Sequence, residues 1–132
     1  EQNVMLEGIV LKPSMIIPGK GSEAVDRQIV ASRTVDCLNR TVPDAVPGIA
    51  FLSGGQSDED ATGHLDAMNK LGNHPWSLTF SYGRALQATA MKTWSGKAEN
   101  LSAASAAFMK RAQNNSAASI GEWSSSLEQS AS

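Results

Sequence analysis

Lys12 closes the apolar run Val4-Met5-Leu6-Glu7-Gly8-Ile9-Val10-Leu11 and is followed at once by Pro13. That run has the length and character of a buried strand, and an ammonium buried without a partner is expensive. A lysine at such a position either snorkels to water or is held dehydrated. Dehydration favours the neutral amine, the form that attacks a carbonyl carbon. The chemistry this residue type suggests at a strand end is therefore Schiff-base formation.

Two further short stretches complete a possible constellation. Ser53-Gly54-Gly55-Gln56 follows the apolar run Gly48 to Leu52 and leads into a helix that opens at Ser57. Two glycines free the backbone to turn its N–H groups toward one point, and a helix start adds a partial positive charge, so the pair suits a phosphate group. Ser81-Tyr82-Gly83-Arg84 follows the run Trp76 to Phe80. A guanidinium grips phosphate through a planar two-pronged contact that lysine cannot copy. Ser53, Gly54, Gly55, Ser81 and Arg84 are thus expected to bind an anion, while Lys12 attacks the carbonyl of the same substrate. Each stretch alone also fits an ordinary turn or a surface ion pair.

The elements that must position these groups are three short apolar runs separated by helical patterns. Ser22 to Arg40 carries Val25, Ile29, Val30, Ala31, Val35 and Leu38 at helical spacing and ends before Pro43 and Pro47. Ser57 to Leu71 begins with a capping serine and three acids, as the helix dipole prefers. Further helices are expected after Arg84 and over Ala98 to Asn114. Strands alternating with helices give βαβ units and a parallel sheet, the α/β class, in which sites form where strands end and loops begin. Residues 1–120 read as the folded part and 121–132 as a serine-rich flexible tail. Cys37, Trp76 and Trp94 are expected in the core, with Asp58, Glu59 and Asp60 as a charged helix start.

Composition excludes several function classes. Hydrophobic residues make up 41% and charged residues 18%, enough to fold around a core. The net charge of −2 and the absence of a basic run argue against nucleic acid or an anionic membrane as partner. No apolar stretch approaches a membrane span, and the opening EQNVMLEG lacks the pattern of a signal peptide. It also lacks an initiating methionine, which reads as a fragment or a processed chain. Cys37 is the single cysteine, so no internal disulfide is expected and a reducing compartment fits. His64 and His74 have no further ligand at metal-binding spacing, so no metal site is expected.

At these residues the chain resembles class I fructose-bisphosphate aldolase. The resemblance rests on LEGIVLKPSM, RTVPDAVPGIAFLSGGQSDEDAT, AMNKL, PWSLTFSYGRALQATAMKTWSGKAEN and RAQNNSAA, stretches in the family's order and spacing that are spread along nearly the whole chain. It implies the C-terminal portion of a (β/α)8 TIM barrel, with three parallel strands and flanking helices. It implies Lys12 as the Schiff-base lysine, Ser53, Gly54 and Gly55 as one phosphate-binding loop, and Ser81, Gly83 and Arg84 as the second. The implied reaction is reversible cleavage of fructose 1,6-bisphosphate to dihydroxyacetone phosphate and glyceraldehyde 3-phosphate, with no metal and no other cofactor. The implied substrate is a phosphorylated sugar and the implied parent a homotetramer, with the cytosol as default compartment and a plastid as the alternative.

Three departures qualify the match. Ser14 stands where the family usually has asparagine. The chain ends at SSSLEQSAS without the family's extended tail and terminal tyrosine. The family's acid/base glutamates, its other catalytic lysine and its catalytic aspartate lie upstream of this segment. The 132 residues alone are therefore expected to be poorly stable and inactive, because three parallel strands leave edges and an apolar face open. The rival functions are another Schiff-base phosphosugar aldolase, and a truncated, non-enzymatic binding module.

Overall fold

A computed structural model describes residues 3–129. Its elements run β1 (Val10–Leu11), α1 (Arg27–Thr41), β2 (Gly48–Phe51), α2 (Asp58–Leu71), β3 (Ser77–Phe80), α3 (Arg84–Trp94), α4 (Leu101–Ala118) and α5 (Ser126–Gln129). Single 3₁₀ turns occupy Leu6–Gly8 and Ala98–Asn100. The sheet order is β1-β2-β3 and both pairings are parallel, so each crossover carries a helix, as parallel neighbours require. This is the three-stranded parallel α/β arrangement expected from the alternating pattern.

The first run departs from expectation. The buried strand expected over Val4 to Leu11 is a 3₁₀ turn followed by two strand residues. The amides of Gly8 and Ile9 bond back to the carbonyls of Met5 and Leu6 at 3.1 and 3.2 Å, so the segment satisfies its backbone locally. Among the described residues β1 pairs only with β2, and Val10 is 64% exposed.

The register explains that exposure. Val10 lies level with Gly48, and Gly48 with Ser77; Leu11 lies level with Ile49, and Ile49 with Leu78. Residues level across a parallel pair share a face. Along β2, Ile49 and Phe51 are completely buried in the core, whereas Gly48 and Ala50 are only half-buried. One face of the sheet thus carries the core, and Val10 stands on the other.

α2 is the central helix. It packs against α1, α3 and α4, and every residue from Ala61 to Met68 is buried. Ser57 caps it by accepting the Asp60 N–H at 3.1 Å, and Gly72 ends it in the left-handed region at φ 65°. α1 begins at Arg27 rather than near Ser22. Asp26 is the effective cap, accepting the Gln28 N–H at 2.7 Å. α4 extends past Asn114 to Ala118.

Two residues expected in the core are exposed. Cys37 lies two positions from the buried Val35, about 200° round the helix, and so faces outward. Trp94 is exposed at the end of α3 in a shallow groove shared with Met91 and Phe108, whereas Trp76 is buried and donates to the Pro43 carbonyl.

The flexible tail expected over 121–132 is corrected for residues 121–129; residues 130–132 lie outside the described part. Trp123 is buried and belongs to the same core cluster as Ile49 and Phe51. Its N–H donates to Asp66 Oδ1 at 3.0 Å, its carbonyl accepts from Lys70 Nζ at 2.9 Å, and its indole N–H donates to Glu128 at 3.1 Å. Glu128 in turn forms a two-pronged pair with Arg111, both contacts 2.8 Å. The Arg27 guanidinium stands 5.4 Å from the centre of the Trp123 ring. Serine content predicted mobility, but one aromatic anchor with satisfied polar ends outweighs it. Replacing Trp123 by alanine is expected to cost about 3–5 kcal/mol in chemical denaturation. A midpoint unchanged from the parent would mean that this segment does not hold the fold.

Candidate active site

Three backbone segments meet at the carboxyl end of the sheet. Beyond β1 and β2, Ser14 still bridges to Leu52 in parallel register, and the Leu52 N–H donates to the Pro13 carbonyl at 2.9 Å. Beyond β3, the Ser81 N–H donates to the Phe51 carbonyl at 2.8 Å. These bonds put Lys12-Pro13-Ser14, the Ser53–Gly55 loop and the Ser81–Arg84 loop side by side. A Cβ built on Gly54 would stand 3.9 Å from Ser14 Oγ, which shows how near the first two segments run.

Lys12 continues the register one step past Leu11, level with Ala50. Its side chain therefore leaves the sheet on the face opposite the core. It is exposed there, not desolvated as the sequence suggested.

The Ser53–Gly55 loop has the backbone its sequence predicts. Gly54 and Gly55 both lie in the left-handed region, at φ 62° and 85°. Side chains with a Cβ rarely take that conformation, so the turn requires glycine. Gln56 closes the turn with its N–H on the Ser53 carbonyl at 3.1 Å, and Ser57 then caps α2. On the third segment, Gly83 is the N-cap of α3 and Arg84 its first residue, exposed to solvent. Tyr82 points inward between Ser81 and Gly83 and donates to the Ala61 carbonyl at 2.8 Å. Burial holds its phenol protonated far above the usual range, so it acts as a fixed donor tying this loop to α2.

Two side chains behind the loops were not singled out by sequence spacing. Gln56 donates from Nε2 to the Ser53 carbonyl at 2.7 Å and touches Met15 Sδ at 3.5 Å. Its Oε1 faces His64 Nδ1 at 2.5 Å. His64 is buried, and burial pushes its pKa below the ordinary histidine value; Asp60 opposes that shift and Arg27 reinforces it. The Asp60 carboxyl is itself held low by the Ser57 hydroxyl, 2.7 Å away, and then by Arg27. Gly63 lets Arg27 pass across α2, since a Cβ there would stand 2.8 Å from Arg27 Nε. The signal for His64 was present in the sequence: it falls on the apolar stripe of α2 one turn after Asp60. Its partner Gln56 lies outside the helix, where periodicity gives no guidance.

A parallel α/β sheet with its polar loops gathered at the carboxyl end defines a piece of a barrel-type α/β enzyme fold. The family model of class-I fructose-bisphosphate aldolase matches residues 1–132, and the chain belongs to that family. It is 53% identical over 124 residues to the cytosolic fructose-bisphosphate aldolase 5 of Arabidopsis thaliana, covering 93% of this chain and 35% of that protein. It is 56% identical over 127 residues to the muscle-type fructose-bisphosphate aldolase of Lethenteron camtschaticum, covering 93% and 34%. A crystal structure of fructose-bisphosphate aldolase from Plasmodium falciparum superposes with a TM-score of 0.88 at 50% identity, over 92% of this chain and 35% of that one. The fold is therefore a partial TIM barrel. The chain spans about a third of the length of these relatives.

The lowered pKa of His64 has a consequence for stability. An unfolded chain takes up a proton at the ordinary value of 6.5, while the folded chain resists it. Its contribution is complete above about pH 6.5 and is lost as pH falls from there through the folded value. Asp60 adds a similar loss only below its ordinary 3.8. Denaturation midpoints should therefore fall between pH 7 and pH 5, and His64→Asn should flatten that dependence. Equal slopes in the two proteins would show that His64 does not carry it.

Proposed function

We propose that the whole protein carrying this chain is a class I fructose-bisphosphate aldolase that cleaves fructose 1,6-bisphosphate through an imine on Lys12. The observation that carries this reading is the shared level of the three strand ends, with Lys12 next to the Ser53–Gly55 loop and that loop next to Ser81–Arg84. Family membership and the names of the relatives support it further.

The neutral amine of Lys12 attacks the ketone carbon of the substrate. The carbinolamine loses water, and the resulting protonated imine at C2 draws electrons from the C3–C4 bond, one removed from the imine carbon. As the neighbouring hydroxyl gives up its proton, that bond breaks, the aldehyde product leaves, and an enamine remains on Lys12. Protonation of the enamine carbon and hydrolysis return dihydroxyacetone phosphate and the free amine. The amides of Gly54 and Gly55, the Ser53 and Ser81 side chains, the backbone at Gly83 and the Arg84 guanidinium hold a phosphate group and so fix the carbonyl against Lys12. No residue of this chain is assigned the acid/base steps. An exposed Lys12 is hydrated, so its activation depends on further chain closing over the open face of the sheet. The 132 residues alone are accordingly inactive. The cytosol, as in the names of several relatives, and a homotetramer complete the proposal.

Borohydride reduction with dihydroxyacetone phosphate, followed by peptide mass mapping, tests it in the whole protein. The adduct is expected on Lys12 and absent in Lys12→Met; an adduct elsewhere, or none, sinks the imine assignment. Arg84→Ala should raise KM ten- to hundredfold, on the order of the 1.5–3 kcal/mol of a charge-assisted hydrogen bond, while leaving imine trapping of unphosphorylated dihydroxyacetone intact. An unchanged KM would remove Arg84 from the phosphate site.

A further inference from the structure

Three segments of the site region converge on the Gln56 carboxamide. The same Ser53 carbonyl accepts both the backbone N–H of Gln56, at 3.1 Å, and its side-chain Nε2, at 2.7 Å. The Nε2 group also touches Met15, three residues beyond Lys12. Only the NH₂ end can donate to a carbonyl, so Oε1 is the atom that faces His64. Oε1 can only accept, which requires the hydrogen of the ring to be on Nδ1. A ring protonated at Nε2 alone would set two lone pairs against each other. His64 comes from the centre of α2, the most buried helix, and is nearly covered itself. The charged groups that face it are Asp60 from its own helix and Arg27 from α1.

We propose that His64 is a positioning residue: by donating from Nδ1 to Gln56 it locks the carboxamide that holds the Ser53-Gly54-Gly55 turn in its anion-binding form. A free glutamine side chain populates many rotamers, and holding it by one end only would leave the Ser53 carbonyl intermittently without its second donor. A carbonyl free to swing would carry the Gly54 and Gly55 amides with it, because both glycines lie where the backbone is least restrained by side chains. Fixing both ends of the amide removes that motion before a ligand arrives, and preorganised donors bind a phosphate more tightly than mobile ones. His64 contacts neither the anion nor Lys12 in this arrangement; it acts through Gln56. The inference rests on the proposed phosphate-binding role of the turn.

The experiment compares the whole protein with His64→Leu, His64→Asn, Gln56→Met and the double variant His64→Leu/Gln56→Met. Inorganic phosphate is the probe for the turn, and borohydride trapping of unphosphorylated dihydroxyacetone is the probe for Lys12. His64→Leu is expected to weaken phosphate binding about tenfold, the scale of one lost hydrogen bond to an organised site. It should raise KM for the bisphosphate in parallel, with kcat and trapping within about twofold of the parent. Asparagine keeps a donor near the Nδ1 position, so His64→Asn should recover most of the affinity. Gln56→Met should copy His64→Leu, and the double variant should add nothing further, because the two act as one unit. Gln56 is only half-buried, so its variant keeps the test open if His64→Leu does not fold. The ¹⁵N spectrum of the ring should show the Nδ1–H tautomer.

Phosphate affinity unchanged in both His64→Leu and Gln56→Met, while the parent binds phosphate, overturns the brace alone. An additive double variant, or the Nε2–H tautomer, does so too. A parent that traps dihydroxyacetone but does not bind phosphate overturns the phosphate reading of the turn, and the brace with it.

Discussion

Two backbone hydrogen bonds at the carboxyl end of the sheet set the site: Leu52 N–H to Pro13, and Ser81 N–H to Phe51. They extend the parallel register past the last strand residues and bring three loops, separated by whole helices in the sequence, to a common level. Parallel pairing makes this unavoidable. Each crossover returns the chain to the same end of the sheet, so every strand leaves at one edge and every loop that follows begins there. A lysine, a two-glycine turn and a serine–glycine–arginine turn become neighbours for that reason, although dozens of residues separate them in the chain.

The same register divides the sheet into two unlike faces. Ile49, Phe51 and Leu78 are buried in the core, while Val10, Lys12, Gly48 and Ala50 belong to the opposite face. The small residues on that face suit a barrel interior, where side chains from several strands share limited space. Lys12 is exposed on that face, and the chemistry proposed for it requires that space to be closed. The chemistry proposed for the lysine is thus a matter of the whole barrel, while its position is a property of this piece.

α2 joins the core to the site. Its buried stretch carries three polar side chains that each find a partner from another segment: Thr62 with Asn115 and Arg111, His64 with Gln56, and Asp66 with Lys70 and the Trp123 amide. Satisfied buried polar groups fix one arrangement of their neighbours more sharply than apolar packing does. Through Asp66 the helix gathers in the C-terminal segment, and through His64 and the Tyr82 bond to Ala61 it supports the two glycine-bearing loops. Packing and site geometry share one helix.

The sequence by itself determined the elements whose signals are local. Ser57 and the acids after it marked the start of α2, and GIAF and SLTF marked strands because each is apolar and bounded by turn residues. The strand-end placement of Lys12, Gly54, Gly55 and Arg84 was legible because residue type and position after an apolar run are both local facts. What depended on contacts between distant residues was not legible. The serine-rich segment after Gly121 reads as mobile until Asp66, Lys70 and Arg111 supply its partners, and Cys37 reads as core until the neighbours of α1 are known. The run before Lys12 reads as a buried strand because hydrophobicity does not say whether a second layer is present. Gln56 and His64 meet only because a loop and a helix fold back on each other. Propensity and patterning act over a few residues, whereas burial and hydrogen-bond partnership are set by the chain's return to itself, which tertiary structure alone decides.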